Sequence, residues 1–302
     1  MLQNMKEMLL AAEKGKYAVG YFESWNLESM LSVTDAAETT KSPVIIGFGG
    51  TFLFNDKRKI KENIFHYGAM AKAIAEQAKV PVAILLNEAD NVAELVRALG
   101  AGFNAVMYMQ DLKKAATLQH LIEVNKYLVP IAHSHGASVE AELGELPMAD
   151  IATGKLTKGE KTNPDEAEYF INETGVDALA FSCGNVHLLE DKKFSLDLEL
   201  IRKMRAKVKI PLVIHGGTGA EPSELKEAIK AGISKINVGT ALKRVYIDTL
   251  KRELSNNTKI DPHELIGGGG GLDIMRKARE NMTAEIIRFM EVFGCMNKAG
   301  EY

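Results

Sequence analysis

Cysteine is nearly absent. Only Cys183 and Cys295 occur in 302 residues, too few for a disulfide framework, so a reducing, cytoplasmic setting is the expectation. An excess of either charge is missing too. Lys plus Arg number 37 against 40 Asp plus Glu, a net charge of −3. That leaves no basic field for nucleic acid and no run of like charges that would form a tail. No apolar run reaches the length of a membrane span. Lys6, Glu13 and Lys14 interrupt the first helical segment, so no leader and no membrane partner are expected. A G-x-G-x-x-G turn after the first predicted strand is lacking, which argues against dinucleotide binding. What remains is 46% apolar residues, enough for a substantial core, in a length that suits one α/β barrel.

Apolar spacing predicts an opening helix over 1–15 from Met5, Met8, Leu9 and Ala12. Strands are predicted at 17–22, 43–47, 81–86, 104–109, 137–144, 177–182, 211–215 and 234–238. Helices are predicted at 26–40, 59–78, 92–99, 163–173, 196–206, 221–231 and 241–254. Another runs from Asp111, as its cap, to about Tyr127. Pro164 suits the first turn of its helix. The polar stretch 145–162 reads as a long loop over the mouth of a site. After five consecutive glycines, Gly267–Gly271, a last helix covers 273–292 as a C-terminal extension. Eight short, nearly all-apolar strands alternating with eight helices predict a (β/α)₈ TIM barrel forming a single domain over 1–302. A doubly wound open sheet is the rival.

Two late strands run into small, polar turns. Pro211-Leu-Val-Ile-His215 leads to Gly216-Gly-Thr-Gly219, and Ser234-Lys-Ile-Asn-Val238 leads to Gly239-Thr240. Glycines let a backbone approach a ligand closely, and successive N–H groups in such turns cradle an anion. In a barrel, phosphate is favoured after strands seven and eight, where these turns fall. Other polar groups collect at the same strand ends: Glu23, Asn87, Glu88, Glu140, Glu142, His187, His215 and Asn237. Two histidines and a carboxylate at a barrel mouth suit zinc with a position left for substrate. His133 and His135 precede strand five at the opposite end and read as structural, as do His66, His120 and His263.

With Ser138-Val-Glu-Ala-Glu-Leu-Gly144, Gly184-Asn-Val-His187, His215-Gly-Gly-Thr218 and Asn237-Val-Gly-Thr240, the chain resembles the class II, metal-dependent ketose-bisphosphate aldolases. The tagatose-bisphosphate branch is the nearest in pattern. Residues 43–52 and 294–297 fit as well. The resemblance implies one Zn²⁺ per subunit with His187 and His215 as ligands, and Glu88 stands where the family has its third ligand. It implies that Gly216, Gly217, Thr218, Asn237, Val238, Gly239 and Thr240 hold the phosphate and enediolate end of a dihydroxyacetone-phosphate unit. The substrates it implies are a phosphorylated ketose, or dihydroxyacetone phosphate plus an aldehyde, in carbohydrate metabolism related to glycolysis. It also implies a homodimer or homotetramer.

One motif departs from the family. Its His-Leu-Asp-His appears here as Leu85-Leu86-Asn87-Glu88. Asn87 cannot exchange a proton near neutral pH and can only orient a hydroxyl. Glu88 can still bind zinc in a His₂Glu set. The family's Asn after strand one is replaced by Glu23, and Leu188 stands where a glycine is expected. The catalytic candidates are therefore Asn87, Glu88, Glu23 and Glu142, for a lyase acting on a phosphorylated ketose. The alternatives are a sugar-phosphate epimerase or isomerase on the same scaffold, and a non-catalytic sugar-phosphate-binding homologue.

Overall fold

The structure, a computed structural model, describes residues 1–109, 117–144, 159–185, 195–256 and 261–302. In chain order its elements are α1 (Met5–Gly15), β1 (Val19–Glu23), α2 (Leu27–Thr40), β2 (Val44–Gly49), α3 (Gly50–Leu53), α4 (Ile64–Gln77), β3 (Val82–Ala89), α5 (Val92–Ala101) and β4 (Ala105–Tyr108). Then come α6 (Leu118–Ser134), β5 (Ser138–Leu143), α7 (Pro164–Thr174), β6 (Ala178–Phe181), α8 (Leu198–Lys207), β7 (Leu212–Ile214) and α9 (Pro222–Ala231). The chain ends with β8 (Ile233–Val238), α10 (Thr240–Asn256), α11 (Pro262–Leu265) and α12 (Ile274–Phe293). Each strand pairs in parallel with the next, and β8 closes on β1. The expected (β/α)₈ barrel is therefore the fold.

The strands are buried on both faces, as their apolar runs require. Local chemistry sets most helix ends. Asn26 caps α2 in a reciprocal capping box with Ser29, and Asn91 and Asp197 cap α5 and α8. The sixth helix differs from its expected span of 111–127. It runs from Leu118, capped by the Thr117 hydroxyl, on to Ser134. Asp111 lies outside the described residues, as do 145–158 of the expected loop. Pro130 is tolerated within α6, so the helix continues where a stop was read. The second barrel helix begins at Ile64 rather than at 59, because the Asn63 side chain caps it.

The N-terminal helix closes the bottom of the barrel. Met5, Met8, Leu9 and Ala12 are buried there. The segment before it is stitched to β3 through Gln3 N–H to the Val82 carbonyl and Val82 N–H to the Met1 carbonyl, each 2.9 Å. Asp177, just ahead of β6, accepts from Val139 N–H at 2.8 Å, His133 Nε2 at 2.9 Å and Lys6 Nζ at 2.9 Å. His133 is thus the structural residue it was expected to be. At the other end of the chain α12 lies along α2 and α10, with Phe293 stacked on Phe22 at 6.3 Å between ring centroids. Both devices hold the outside and the floor of the barrel, away from the strand C-termini.

Asp177→Ala strands the buried Val139 N–H and removes the acceptor of both His133 and Lys6. An orphaned buried donor costs about 1–3 kcal/mol. The expected result is a loss of about 2 kcal/mol in urea unfolding followed by circular dichroism, on the same scale. Lys6→Ala, which removes a half-exposed partner, should cost well under half of that.

Candidate functional site

Strand alternation builds the site. On β5 the residues two apart, Glu140 and Glu142, share the inward face, one deep and one near the rim. On β8 Lys235 and Asn237 do the same. Tyr21 of β1 enters the lumen because the facing position is Gly47, whose Cβ would lie 1.7 Å from the Tyr21 ring. The Lys235 ammonium sits 5.0 Å from that ring's centroid.

Glu140 is the hinge of these contacts. Its carboxylate is fully buried and accepts from His215 Nε2 at 2.9 Å and from Lys235 Nζ at 2.9 Å. Lys235 also donates to Asn237 Oδ1. Burial would raise the Glu140 carboxyl, but Lys235 and His215 outweigh it and hold it below the ordinary range. An ionised carboxylate only accepts, so the His215 proton on that side is on Nε2. The other ring nitrogen, Nδ1, faces Glu142 Oε2 at 2.7 Å and Glu88 Oε1 at 3.4 Å. Burial alone would lower the imidazole. The carboxylates of Glu142, Glu140 and Glu88 more than offset this and hold it well above its ordinary value.

His215 Nδ1, Glu88 and Glu142 each offer one atom, all within 4.8 Å of one another. This donor set suits a divalent cation. A nitrogen ligand whose far N–H is held by a carboxylate is the usual support of a metal-bound histidine. The carboxylates of Glu88, Glu140 and Glu142 gather around His215, and Glu140 alone of them pairs with Lys235, so a cation of charge +2 would find compensation there.

Glu88 reaches the cluster by an unusual backbone. Its φ is +54°, and the pairing of β3 with β4 shifts register between Leu86 and Ala89. A non-glycine residue in that region is strained by about 1–3 kcal/mol and marks functional sites. Beside it Asn87 is buried, and its Oδ1 has no hydrogen-bond partner among the described residues. The same holds for the buried Asn237 Nδ2 on β8 among the described residues.

The two glycine turns meet next to this cluster. Gly216 takes a left-handed φ of +71°. Gly217 lies so close to β8 that a Cβ would be 2.5 Å from Ile236 Cγ2. Ala241 N–H donates to Thr218 Oγ1 at 3.4 Å, tying the first turn to the start of α10. Glu23 ends β1 beside Gly239, paired with Lys243 Nζ at 2.8 Å. Burial raises its carboxyl, Lys243 pulls it back, and Glu88 pushes it up again.

The family model for class II fructose-bisphosphate aldolase matches residues 3–298 of this chain. The chain belongs to the class II fructose-bisphosphate aldolase family. It is 33% identical over 307 residues to a fructose-bisphosphate aldolase of Geobacillus stearothermophilus, covering 99% of each chain. It is 34% identical over 299 residues to YdjI, an uncharacterized protein of Escherichia coli strain K12, covering 99% of this chain and 100% of that one. The crystal structure of the YdjI aldolase superposes with a TM-score of 0.82 at 29% identity, over 99% of this chain and 100% of that one. Family and relatives together support an aldolase function.

Of the residues singled out in the sequence, the structure gathers Glu88, Glu142 and His215 within one cluster. Asn87 and Asn237 are buried at the C-terminal ends of β3 and β8. Gly216, Gly217, Thr218, Val238, Gly239 and Thr240 lie in or beside the turns after β7 and β8. Glu23 stands apart from His215, on Lys243. His187 and Leu188 lie outside the described residues. Sequence reasoning missed Lys235 and Tyr21. The signal for Lys235 was a lysine two residues before Asn237 in an otherwise apolar strand, hence on the same inward face.

Removing Lys235 tests how tightly the cluster is balanced. Lys235→Met leaves the Glu140 charge dry and half-compensated, and breaking such a buried pair costs about 3–5 kcal/mol. Urea unfolding should register a loss on that scale. Adding Glu140→Gln to the same chain should restore part of it.

Proposed function

We propose that the protein is a metal-dependent lyase that cleaves or forms the C–C bond of a phosphorylated ketose, working through a dihydroxyacetone-phosphate enediolate. The observation that carries this is the convergence of His215, Glu88 and Glu142 beside two anion-cradling turns at the barrel mouth. In this reading His215 Nδ1 and Glu88 hold one Zn²⁺ per subunit, with His187 as the further ligand the family resemblance implies. When bound, the metal supplies Lewis-acid stabilisation of the negative charge that develops as the bond breaks.

The chain's own residues supply the rest. The turns at Gly216–Thr218 and Val238–Thr240 bind the phosphate through N–H and hydroxyl donors. Asn237 Nδ2, buried and without a partner among the described residues, donates to an oxygen of the enediolate end. Asn87 Oδ1 accepts from the hydroxyl that becomes the aldehyde and orients it without taking its proton. Glu142 takes that proton at a carboxylate oxygen. It lies two residues nearer the mouth than Glu140 on β5, beside His215 Nδ1. In the synthetic direction it returns the proton to the new hydroxyl. Glu140 fixes the His215 tautomer and neutralises Lys235.

Asn87 in place of the family's aspartate favours one second reading, a sugar-phosphate-binding homologue without turnover. A homodimer or homotetramer agrees with the exposed Ile266 and Leu272 that flank the glycine run. A cytoplasmic setting agrees with two buried, unbridged cysteines.

The test combines metal analysis with a panel of phosphorylated ketoses, reading triose phosphate release in a coupled assay. Glu88→Gln is expected to weaken zinc binding at least tenfold, the usual scale for a lost charged donor near a metal. Glu142→Gln should lower kcat by roughly 10²–10⁴, the range for a lost general acid–base group, with ligand binding retained. Zinc retained at full affinity by Glu88→Gln would remove Glu88 from the metal set. Ketose phosphate binding with no triose released from any member would favour the homologue without turnover.

A further inference from the structure

Tyr21 has no role in the chemistry above, yet it stands in the lumen beside the altered motif of β3. It belongs to β1, and its register partners are Ile45 on β2 and Asn237 on β8. Its ring leans over Gly47 of β2, where a Cβ would lie 1.7 Å from Cε2 and 2.2 Å from Cζ. Any larger residue at 47 would fill the space that the ring crosses. Gly47 is the register partner of Leu85 on β3, so beyond it lies the end of β3 that carries Asn87. A side chain of β1 thereby reaches over β2 to β3, and the Asn87 amide hydrogen-bonds its hydroxyl.

The amide makes that bond through its nitrogen. Asn87 Oδ1 has no hydrogen-bond partner among the described residues, so the bond runs from Nδ2 to the Tyr21 oxygen. The phenol accepts as a neutral group. Burial, then the carboxylates of Glu23, Glu88 and Glu140, hold its proton on well above the ordinary phenol range. On its other side the ring centroid lies 5.0 Å from Lys235 Nζ, and Lys235 donates to Asn237 Oδ1. Asn237 and Asn87 are thus held in opposite senses. Asn237 has its oxygen taken and presents Nδ2, whereas Asn87 has its nitrogen taken and presents Oδ1. An amide that nothing holds turns easily about its last torsion and offers either group.

We propose that Tyr21 is a positioning residue for the reaction: its hydroxyl holds the Asn87 amide so that Oδ1 faces the substrate hydroxyl that becomes the aldehyde. This rests on the aldolase reading and extends it to a residue outside the motifs that carry the family resemblance. An amide turned by half a rotation would offer N–H at that point. The substrate hydroxyl would then meet a donor where it needs an acceptor, and its proton would be misdirected. Because Asn87 cannot take the proton itself, its orientation is all that it contributes, and Tyr21 fixes that orientation.

Tyr21→Phe removes the hydroxyl and keeps the ring over Gly47 and beside Lys235. Zinc-loaded wild type, Tyr21→Phe, Asn87→Ala and the double variant are compared in triose phosphate release from a ketose phosphate that the wild type cleaves, with thermal melts as a check on folding. The net worth of one neutral hydrogen bond corresponds to roughly two- to tenfold, and Tyr21→Phe should lower kcat by about that factor. In Asn87→Ala there is no amide to hold, so adding Tyr21→Phe should change kcat by less than about twofold, whereas a packing role would lower it equally in both backgrounds. A second measurement needs no turnover. In protein labelled with nitrogen-15 at asparagine, the Asn87 side-chain signals are those lost in Asn87→Ala. In the wild type an Nδ2 proton should be protected from solvent exchange, and Tyr21→Phe should shift these signals and speed that exchange. Equal loss of kcat in both backgrounds overturns the proposal. So do Asn87 signals that exchange freely in the wild type or that Tyr21→Phe leaves in place. A wild type that cleaves no ketose phosphate overturns the aldolase reading and this proposal with it. Cleavage with additive effects of the two substitutions overturns this proposal alone.

Discussion

A single buried carboxylate, that of Glu140, fixes the chemistry of this barrel's mouth. It lies out of water among apolar strands, where an uncompensated charge would cost several kcal/mol. Two donors compensate it, and each is thereby given a state. Lys235 stays an ammonium inside the barrel, stacked over Tyr21 and anchoring Asn237 Oδ1. His215 is held with its proton on Nε2, which turns Nδ1 toward Glu88 and Glu142. The direction of the candidate metal ligand is therefore set on β5, by a residue that touches neither the phosphate turns nor the rim. The same fixing explains why Asn237 points its amide nitrogen outward: its oxygen is already taken by Lys235.

Much of this was legible in the sequence because of the period of two. Eight apolar runs separated by helical spacing can bury both faces only in a closed or doubly covered sheet, and the Gly-Thr turns read after the last two runs do follow β7 and β8. The same period put Glu140 and Glu142, and Lys235 and Asn237, on inward faces. What the sequence hid were pairings that depend on barrel closure and register. Glu23 and Lys243 are 220 positions apart and meet only because β8 closes on β1. Glu140 and Lys235 are 95 apart and lie on strands that are not neighbours, so they meet across the lumen. Helix ends were hidden where caps compete. Thr117 begins α6 and Asn63 begins α4, each several residues after the apolar spacing had started.

Asn87 and Glu88 show how far a scaffold can hold geometry while its chemistry shifts. In a regular strand, consecutive residues face opposite sides, so only one of them could serve the mouth. The left-handed φ at Glu88 and the register shift to Ala89 break that alternation, and both residues come to the same end of the barrel. The strain comes from a Cβ held at a left-handed φ, so residues other than glycine at 88 carry it. An amide at 87 keeps the acceptor and loses the proton. A carboxylate at 88 keeps a metal donor and adds a negative charge. With an amide rather than an acid at 87, the proposed proton transfer falls to a carboxylate on another strand. Glu142, two residues beyond Glu140 on β5 and facing the same histidine nitrogen as Glu88, is the inward-facing acid that β5 already supplies. On the proposed reading the altered motif on β3 divides the labour between β3, which would bind the metal, and β5, which orients His215 and would carry the proton.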